Sequence, residues 1–545
     1  MQSLPFEILQ EIGIRVERLN DKKSLRETCT RFGDVFKAQV LEEVTLNIHK
    51  NNLQPGINLL HALADPAKDY PRYIRTLNIL SLSPRYFPDP NPESDWRVCA
   101  TTLQLDTNLI GEWLCGSESE EGHGSCAEVD CLLRPALESL QYLRAVRWRW
   151  NPKDGPMTQD IIAKSLSTLE HIKEFRFCYA HLDRYAREQP PLPDLHNLEV
   201  LSISISMGAQ TTWTRSEGIM DPLLHHLLSQ TKSLSALDLG TGLRPGLPAV
   251  LDACDPSNIS HLGLNGFSCS STRVESERSF SKCLRLFTHL TSLDLRGVDF
   301  GHQFVFEILY SNQIRLRRIV IDCVTDMFLD YIASYSGLEY LSIKFQPIGY
   351  SEIVTGVLQA ERFFRVLLPL HRGTLVDLEI EPAYESEWCF SESNVDALSC
   401  CRQLRNLSIK VKPQGMQVDS TVRQLLPFSR PSELNPVHLL LNMISSSLQH
   451  LQSLFIDSAQ KPNVERHRQL GRIRNPCHPF YCICQEKPGL FSKVSPGVKH
   501  CFDVRGLIRA SIKHQRSGET QLYDPAVLKW VKLYVGRERF IIEGL

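Results

Sequence analysis

One short pattern constrains this chain more than any other feature. An apolar residue is followed by two free positions, a second apolar residue, one free position and a third apolar residue. It recurs at Leu41/Val44/Leu46, Ile74/Leu77/Ile79, Ala100/Leu103/Leu105, Leu143/Val146/Trp148, Ile172/Phe175/Phe177, Leu198/Leu201/Ile203 and Leu234/Leu237/Leu239. It continues at Ile259/Leu262/Leu264, Leu290/Leu293/Leu295, Leu316/Ile319/Ile321, Leu338/Leu341/Ile343, Leu375/Leu378/Ile380, Leu404/Leu407/Ile409 and Leu451/Leu454/Ile456. At 42% apolar residues, three chosen positions are all apolar in about one frame in fourteen (0.42 cubed), so a single occurrence carries little. Recurrence carries the argument. The last two apolar positions alternate with polar ones, which predicts a short strand with one face inward. Amphipathic stretches of helical period lie between, such as MDPLLHHLLSQTKS, where Leu223, Leu224, Leu227 and Leu228 mark one face. A strand and a helix cannot bury their apolar faces alone, so neighbouring units must stack into a continuous core.

The segments LSALDLGTGL, ISHLGLNGF and LTSLDLRGV resemble the leucine-rich repeat, whose period is about 20–29 residues. The resemblance implies an α/β fold: a leucine-rich-repeat-type solenoid, curved, with parallel strands on the concave face.

The first forty residues differ. Pro5 suits the first position of a helix, Glu7 follows in its first turn, and Ile8, Leu9 and Ile12 share a face. Ser24 and Glu27 have the spacing of a capping box, which predicts a second helix from Ser24, with Asp21 as a competing N-cap just upstream. Its apolar stripe runs Leu25, Cys29, Phe32, Phe36 and Val40. LPFEILQEI, then Leu19, then SLRETCTRF with Phe36 following, resembles an F-box over Leu4 to Val40. It departs in one place, using Phe32 as the aromatic of the second helix. The resemblance implies docking on an SKP-type adaptor subunit, and through it on a cullin, by Leu4, Pro5, Ile8, Leu9, Ile12 and Leu25.

The expected organisation is a small helical F-box-like unit (1–40), a repeat solenoid (41–459) and a C-terminal cap region (460–545). Insertions are expected near 81–96, 115–130 and 410–436. Residues 115–130 are acidic and Gly/Ser-rich, with little to pack. In the cap region, KHCFDVRGLI and FIIEGL read as β-like and AVLKWVKLYV as helical. The net charge of −2 argues against a nucleic-acid or membrane-surface partner. No apolar run approaches membrane-spanning length, and Glu7 and Glu11 argue against a secretory leader. With no secretion signal, the 17 cysteines read as free thiols, and a cytoplasmic or nuclear location is expected.

Catalytic chemistry finds no constellation in the sequence, and no cofactor or metal is expected. Cys477, His478, Cys482 and Cys484 cluster with His500 and Cys501 downstream, but the spacing is poor for one zinc ion. RWRW at 147–150 offers alternating basic and aromatic residues for base stacking. Strand periodicity instead places Trp148 in the core and leaves Arg147 and Arg149 on the inner face of the sheet. A solenoid binds its partner on the inner sheet face, and strand alternation points Arg147, Arg149, Arg176, Asp238, Asp294, Arg296, Asp322, Lys344, Glu379, Glu381, Lys410 and Asp457 there. The two resemblances, in this order, imply a non-enzymatic adaptor that presents a protein substrate for ubiquitin transfer by other subunits. A repeat scaffold with no ligase role and a hidden catalytic site near 477–505 are the other readings.

Overall fold

A computed structural model describes the chain except residues 1–4, 17–18, 85–119, 151–153, 182–190, 208–220, 241–246, 267–279, 298–301, 346–350, 383–385, 412–435, 459–531, 536–537 and 541–545. The chain forms two compact units, Met1–His289 and Leu290–Leu545.

The first unit opens with three helices, α1 (Phe6–Arg15), α2 (Leu19–Thr28) and α3 (Thr30–Leu41). Its strands are β1 (Glu43–Ile48), β2 (Thr76–Leu82), β3 (Ala145–Trp150), β4 (Glu174–His181), β5 (Val200–Met207), β6 (Ala236–Gly240) and β7 (His261–Asn265). Each pairs with the next in chain order, always parallel. The second unit repeats this arrangement with β8 (Ser292–Arg296), β9 (Arg318–Ile321), β10 (Tyr340–Lys344), β11 (Asp377–Glu381), β12 (Asn406–Val411), β13 (Ser453–Ser458) and β14 (Lys532–Val535). These too pair in parallel, and β15 (Glu538–Phe540) lies antiparallel on β14. Parallel strands need a crossover between them. Helices such as Leu53–Ala64, Pro156–Ser167, His302–Ser311 and Asp326–Ala333 supply it.

The last two residues of every predicted triplet lie on a strand, except in Ala100/Leu103/Leu105, which falls outside the described residues. Equivalent positions pair with one another. Val44 opposes Leu77, Leu77 opposes Val146, and Val146 opposes Phe175. In the second unit Leu341 opposes Leu378, which opposes Leu407, which opposes Leu454. Apolar side chains therefore form continuous inward ladders, almost all fully buried. The strand entries repeat as well. One carbonyl per unit accepts two N–H groups from the next, as Glu42 does from Arg75 (2.8 Å) and Thr76 (2.9 Å).

Three expectations need correction. Ser24 and Asp21 both lie inside α2, which begins at Leu19, so neither caps a helix start. The chain breaks instead at Cys29, which is extended (φ −162, ψ 159), so the stripe from Leu25 to Val40 spans two helices. Residues 120–130, expected to have little to pack, begin the helix Glu120–Glu138. Val129, Leu133, Ala136 and Leu137 of that helix are buried. Their spacing of four, three and one is an amphipathic stripe that the polar start obscured. The run AVLKWVKLYV ends as strand β14, where a helix was expected. It carries the same triplet at Trp530/Leu533/Val535, and Leu533 and Val535 oppose Leu454 and Ile456.

One buried acid sits inside the first unit. Asp154 is 1% exposed, and its Oδ1 accepts from the Leu82 N–H at 2.9 Å. Its Oδ2 has no hydrogen-bond partner among the described residues. Burial raises its pKa to about 7 despite the bonds from Leu82 and Ser81. The fold thus favours the neutral acid. The stability that Asp154 contributes is full below pH 4 and is lost as pH rises through about 7. Asp154→Asn keeps an acceptor for Leu82. It is expected to stabilise the protein by on the order of 1–3 kcal/mol at pH 8 and by little at pH 5, read from melting curves at both pH values.

Candidate functional site

The N-terminal helices bury a core of their own. Leu9, Phe32, Val35, Phe36 and Val40 form it, with Leu25 and Cys29 packed against it. Phe32 and Phe36 stack at 5.5 Å between ring centroids. Gly13 lets α1 approach α3, because a Cβ there would lie 2.4 Å from the Phe36 ring. Outside this core, Ile8 and Ile12 are four residues apart, which sets them along one side of α1, with Pro5 just before the helix. Pro5 is exposed, Ile8 is 47% exposed and Ile12 is 36% exposed. Two β-branched apolar side chains in water on a short helix are an unpartnered apolar row.

Of the six residues expected to dock an adaptor, Pro5, Ile8 and Ile12 thus share this row. Leu9 does not: it is 1% exposed and belongs to the core. Leu25 is half-buried against the same core. Leu4 lies outside the described residues. Ile14, 64% exposed, lies by helical period on the other side of α1.

The helices join the first repeat stiffly. Only Glu42 separates α3 from β1. Lys37 Nζ lies 2.8 Å from both carboxylate oxygens of Asp69. It also sits 5.4 Å and 5.3 Å from the ring centroids of Tyr70 and Tyr73. The hydrogen bond from Lys37 holds the Asp69 carboxyl below its usual pKa, helped by the charge of Arg72. One ammonium thus clamps α3 to the Tyr70–Tyr73 turn by charge and by cation–π contact. Lys37→Ala is expected to speed amide exchange across the end of α3 and the start of β1, with little change inside β4 and β5. Hydrogen exchange read by mass spectrometry checks this.

The exposed sheet face carries most of the other expected residues, largely paired with one another. In the first unit Arg147 lies between Glu43 (3.7 Å) and Glu174 (3.9 Å). Arg176 Nε donates to Glu174 at 2.6 Å, and Asp238 meets His261 at 2.9 Å. Arg149 is half-buried and registers with Cys178. In the second unit Arg296 grips Asp294 through two bonds of 2.7 Å. Lys344 lies 2.8 Å from Glu379, which also accepts from Ser342 at 2.5 Å. Burial pushes the Glu379 carboxyl up, but the Lys344 charge and these bonds hold it below its usual range. Burial and the adjacent Glu379 charge raise Glu381. Burial opposes the charge on Lys344, yet Glu379 raises its pKa. Lys410 and Asp457 are register partners on β12 and β13.

Asp322 is corrected. It is 4% exposed, accepts a hydrogen bond from the Gly297 N–H and faces His302 Nε2 at 3.1 Å. It braces the backbone and does not present a charge to a partner.

The sheet face also holds aromatic side chains that sequence reasoning passed over. Phe455 is 37% exposed at the free position between Leu454 and Ile456. The Tyr340 ring lies 3.5 Å from the Arg318 guanidinium. The signal was present, because alternation exposes aromatic and charged residues alike at that position.

Trp148 is fully buried, so the RWRW motif offers no stacking platform through it. The Cys477/His478/Cys482/Cys484 cluster lies outside the described residues. Among the described residues no group of three or more His, Cys, Asp or Glu side chains is arranged to hold a metal ion. No described helix is long and apolar enough to cross a membrane. No protein-family model matches the chain, and no curated protein matches it. A functional reading therefore rests on the residues and their geometry.

Proposed function

We propose that this chain is the substrate-recognition adaptor of an SCF-type cullin–RING ubiquitin ligase, with a leucine-rich-repeat-type solenoid carrying an F-box-like helical unit. The observation that carries the proposal is the exposed row Pro5, Ile8 and Ile12 on helices with their own core, clamped to the first repeat through Lys37. The row docks on the SKP-type adaptor. The sheet face holds a protein substrate through its half-buried charges and the Phe455 and Tyr340 side chains. Ubiquitin transfer belongs to other subunits, and this chain contributes proximity and orientation. A stiff joint serves that role, since it fixes where the cargo sits. A cytoplasmic or nuclear setting goes with the proposal.

The burial of Leu9 favours a second reading, in which α1–α3 only cap the repeats and the chain is a protein-binding scaffold. A pull-down of the purified chain with the SKP-type adaptor separates the two, run beside a Leu4→Ala/Pro5→Ala double variant. The ligase reading expects capture by the wild type and loss in the variant with unchanged circular dichroism. No capture by a well-folded wild type leaves the scaffold.

A further inference from the structure

Arg75, Arg144 and Lys173 each stand one residue before a strand, at the entries to β2, β3 and β4. Their carbonyls carry the repeated double hydrogen bond. Arg75 O accepts from Arg144 N and Ala145 N (2.8 and 2.9 Å), and Arg144 O accepts from Lys173 N and Glu174 N (2.8 and 3.0 Å). Three cationic side chains thus occupy consecutive rungs of one parallel sheet, about 4.8 Å apart. Like charges on neighbouring strands destabilise a sheet. Lys173 is relieved by Glu199. The Arg144 guanidinium and the His171 ring make no hydrogen bond or ion pair among the described residues.

The three cations border a cavity of about 260 Å³, lined by Arg75, Tyr142, Arg144, His171 and Lys173. Among the described residues its lining holds no acid, and the Glu199 carboxylate beside it is paired with Lys173. Arg75 is held in place: its Nη1 donates to the carbonyls of Arg72 (2.7 Å) and Ile74 (3.2 Å), and its guanidinium lies 5.2 Å from the Tyr142 centroid. A guanidinium anchored on one side presents its remaining N–H groups in a fixed fork, the geometry that matches an oxyanion. Two guanidinium groups with no carboxylate partner among the described residues, beside a Lys173 already paired with Glu199, fit the oxygens of a phosphate group.

We propose that this cavity is a binding site for a phosphate ester, with Arg144 and Arg75 gripping the oxyanion and Tyr142 walling one side. The site is built from residues at the strand entries and uses none of α1, so it stands whether or not the chain serves a ligase. The same chemistry is offered by a phosphorylated side chain of a protein and by a free small phosphate ester.

The test is fluorescence anisotropy on the full chain with a labelled phosphoserine peptide and its unphosphorylated form, with inorganic phosphate as competitor. The phosphorylated peptide is expected to bind at least about tenfold more tightly than the unphosphorylated one. Arg144→Glu is expected to weaken binding about ten- to a hundredfold. Arg402→Glu, an exposed charge in the second unit, is expected to change nothing. Arg144 is exposed and makes no internal bond, so its variant is expected to melt with the wild type. Displacement of the peptide by inorganic phosphate at equal affinity assigns the site to a free ester. Weak displacement assigns it to a phosphorylated protein segment. Equal binding of the two peptides, binding of neither, or wild-type affinity in Arg144→Glu overturns the proposal.

Discussion

Replacing Ile8 and Ile12 together by glutamate is expected to abolish capture by an SKP-type adaptor while leaving the chain folded. Both side chains face solvent, at 47% and 36% exposure, so the fold loses little when they become charged. Exposed substitutions of this kind usually stay within about 0.5 kcal/mol each. An interface built on the row would lose both apolar anchors and would also have to desolvate two carboxylates. Anchors of this type cost about 2 kcal/mol or more each, so affinity should fall by a factor of a thousand or so. Leu9→Ala separates the alternatives from the other side. Leu9 is in the core, so its truncation is expected to cost about 2–5 kcal/mol of stability in the helical unit. A row that docks a partner and a core that holds the row thus respond differently: one variant keeps the melting temperature and loses binding, and the other loses stability first. Surface plasmon resonance and thermal melts on both variants read the two effects.

The second large effect is on the sheet. Trp148→Ala is expected to destabilise the first unit by about 3–5 kcal/mol. Trp148 is 0% exposed and sits in the inward ladder, with Ile79 opposite on β2 and Phe177 opposite on β4. Its ring meets Phe177 edge-on at 5.3 Å. Removing it opens a cavity between two rungs that the backbone register does not let collapse. Stacked units depend mainly on their neighbours. The loss should therefore appear as faster hydrogen exchange in β2, β3 and β4, with strand β10 of the second unit changed little. A uniform rise across both units would contradict the nearest-neighbour account.

The strands were readable because their signal is local and repeated. Each triplet names two inward residues, and stacking in register follows once every unit buries the same pair. Strand β14 was missed because its triplet comes far from Ile456 and lies in a run that also has helical spacing. Packing on the free edge of β13 decided between the two periods. The break at Cys29 carries no glycine or proline, and the stripe continues across it because α2 and α3 face one core. Spacing alone also could not separate Leu9 from Ile8 and Ile12. The three fall within about 100° of arc on a helix, and only the position of Phe36 decides which turns inward. Asp322 failed for a different reason. Strand β9 ends at Ile321, so alternation no longer governs the next residue, and the chain turns to bury its carboxylate under Gly297 and His302. The paired charges at Lys344 and Glu379 followed alternation and were legible, whereas the strand-entry cations fill the first free position of their triplets, ahead of the strand, where alternation assigns no face.

Hydrogen exchange on the full chain, with and without the purified SKP-type adaptor, tests the central claim most directly. The account predicts new protection over α1, in peptides spanning Pro5–Arg15, with the exchange of the sheet strands unchanged. Protection confined to the strands, or none anywhere at saturating adaptor, would contradict it.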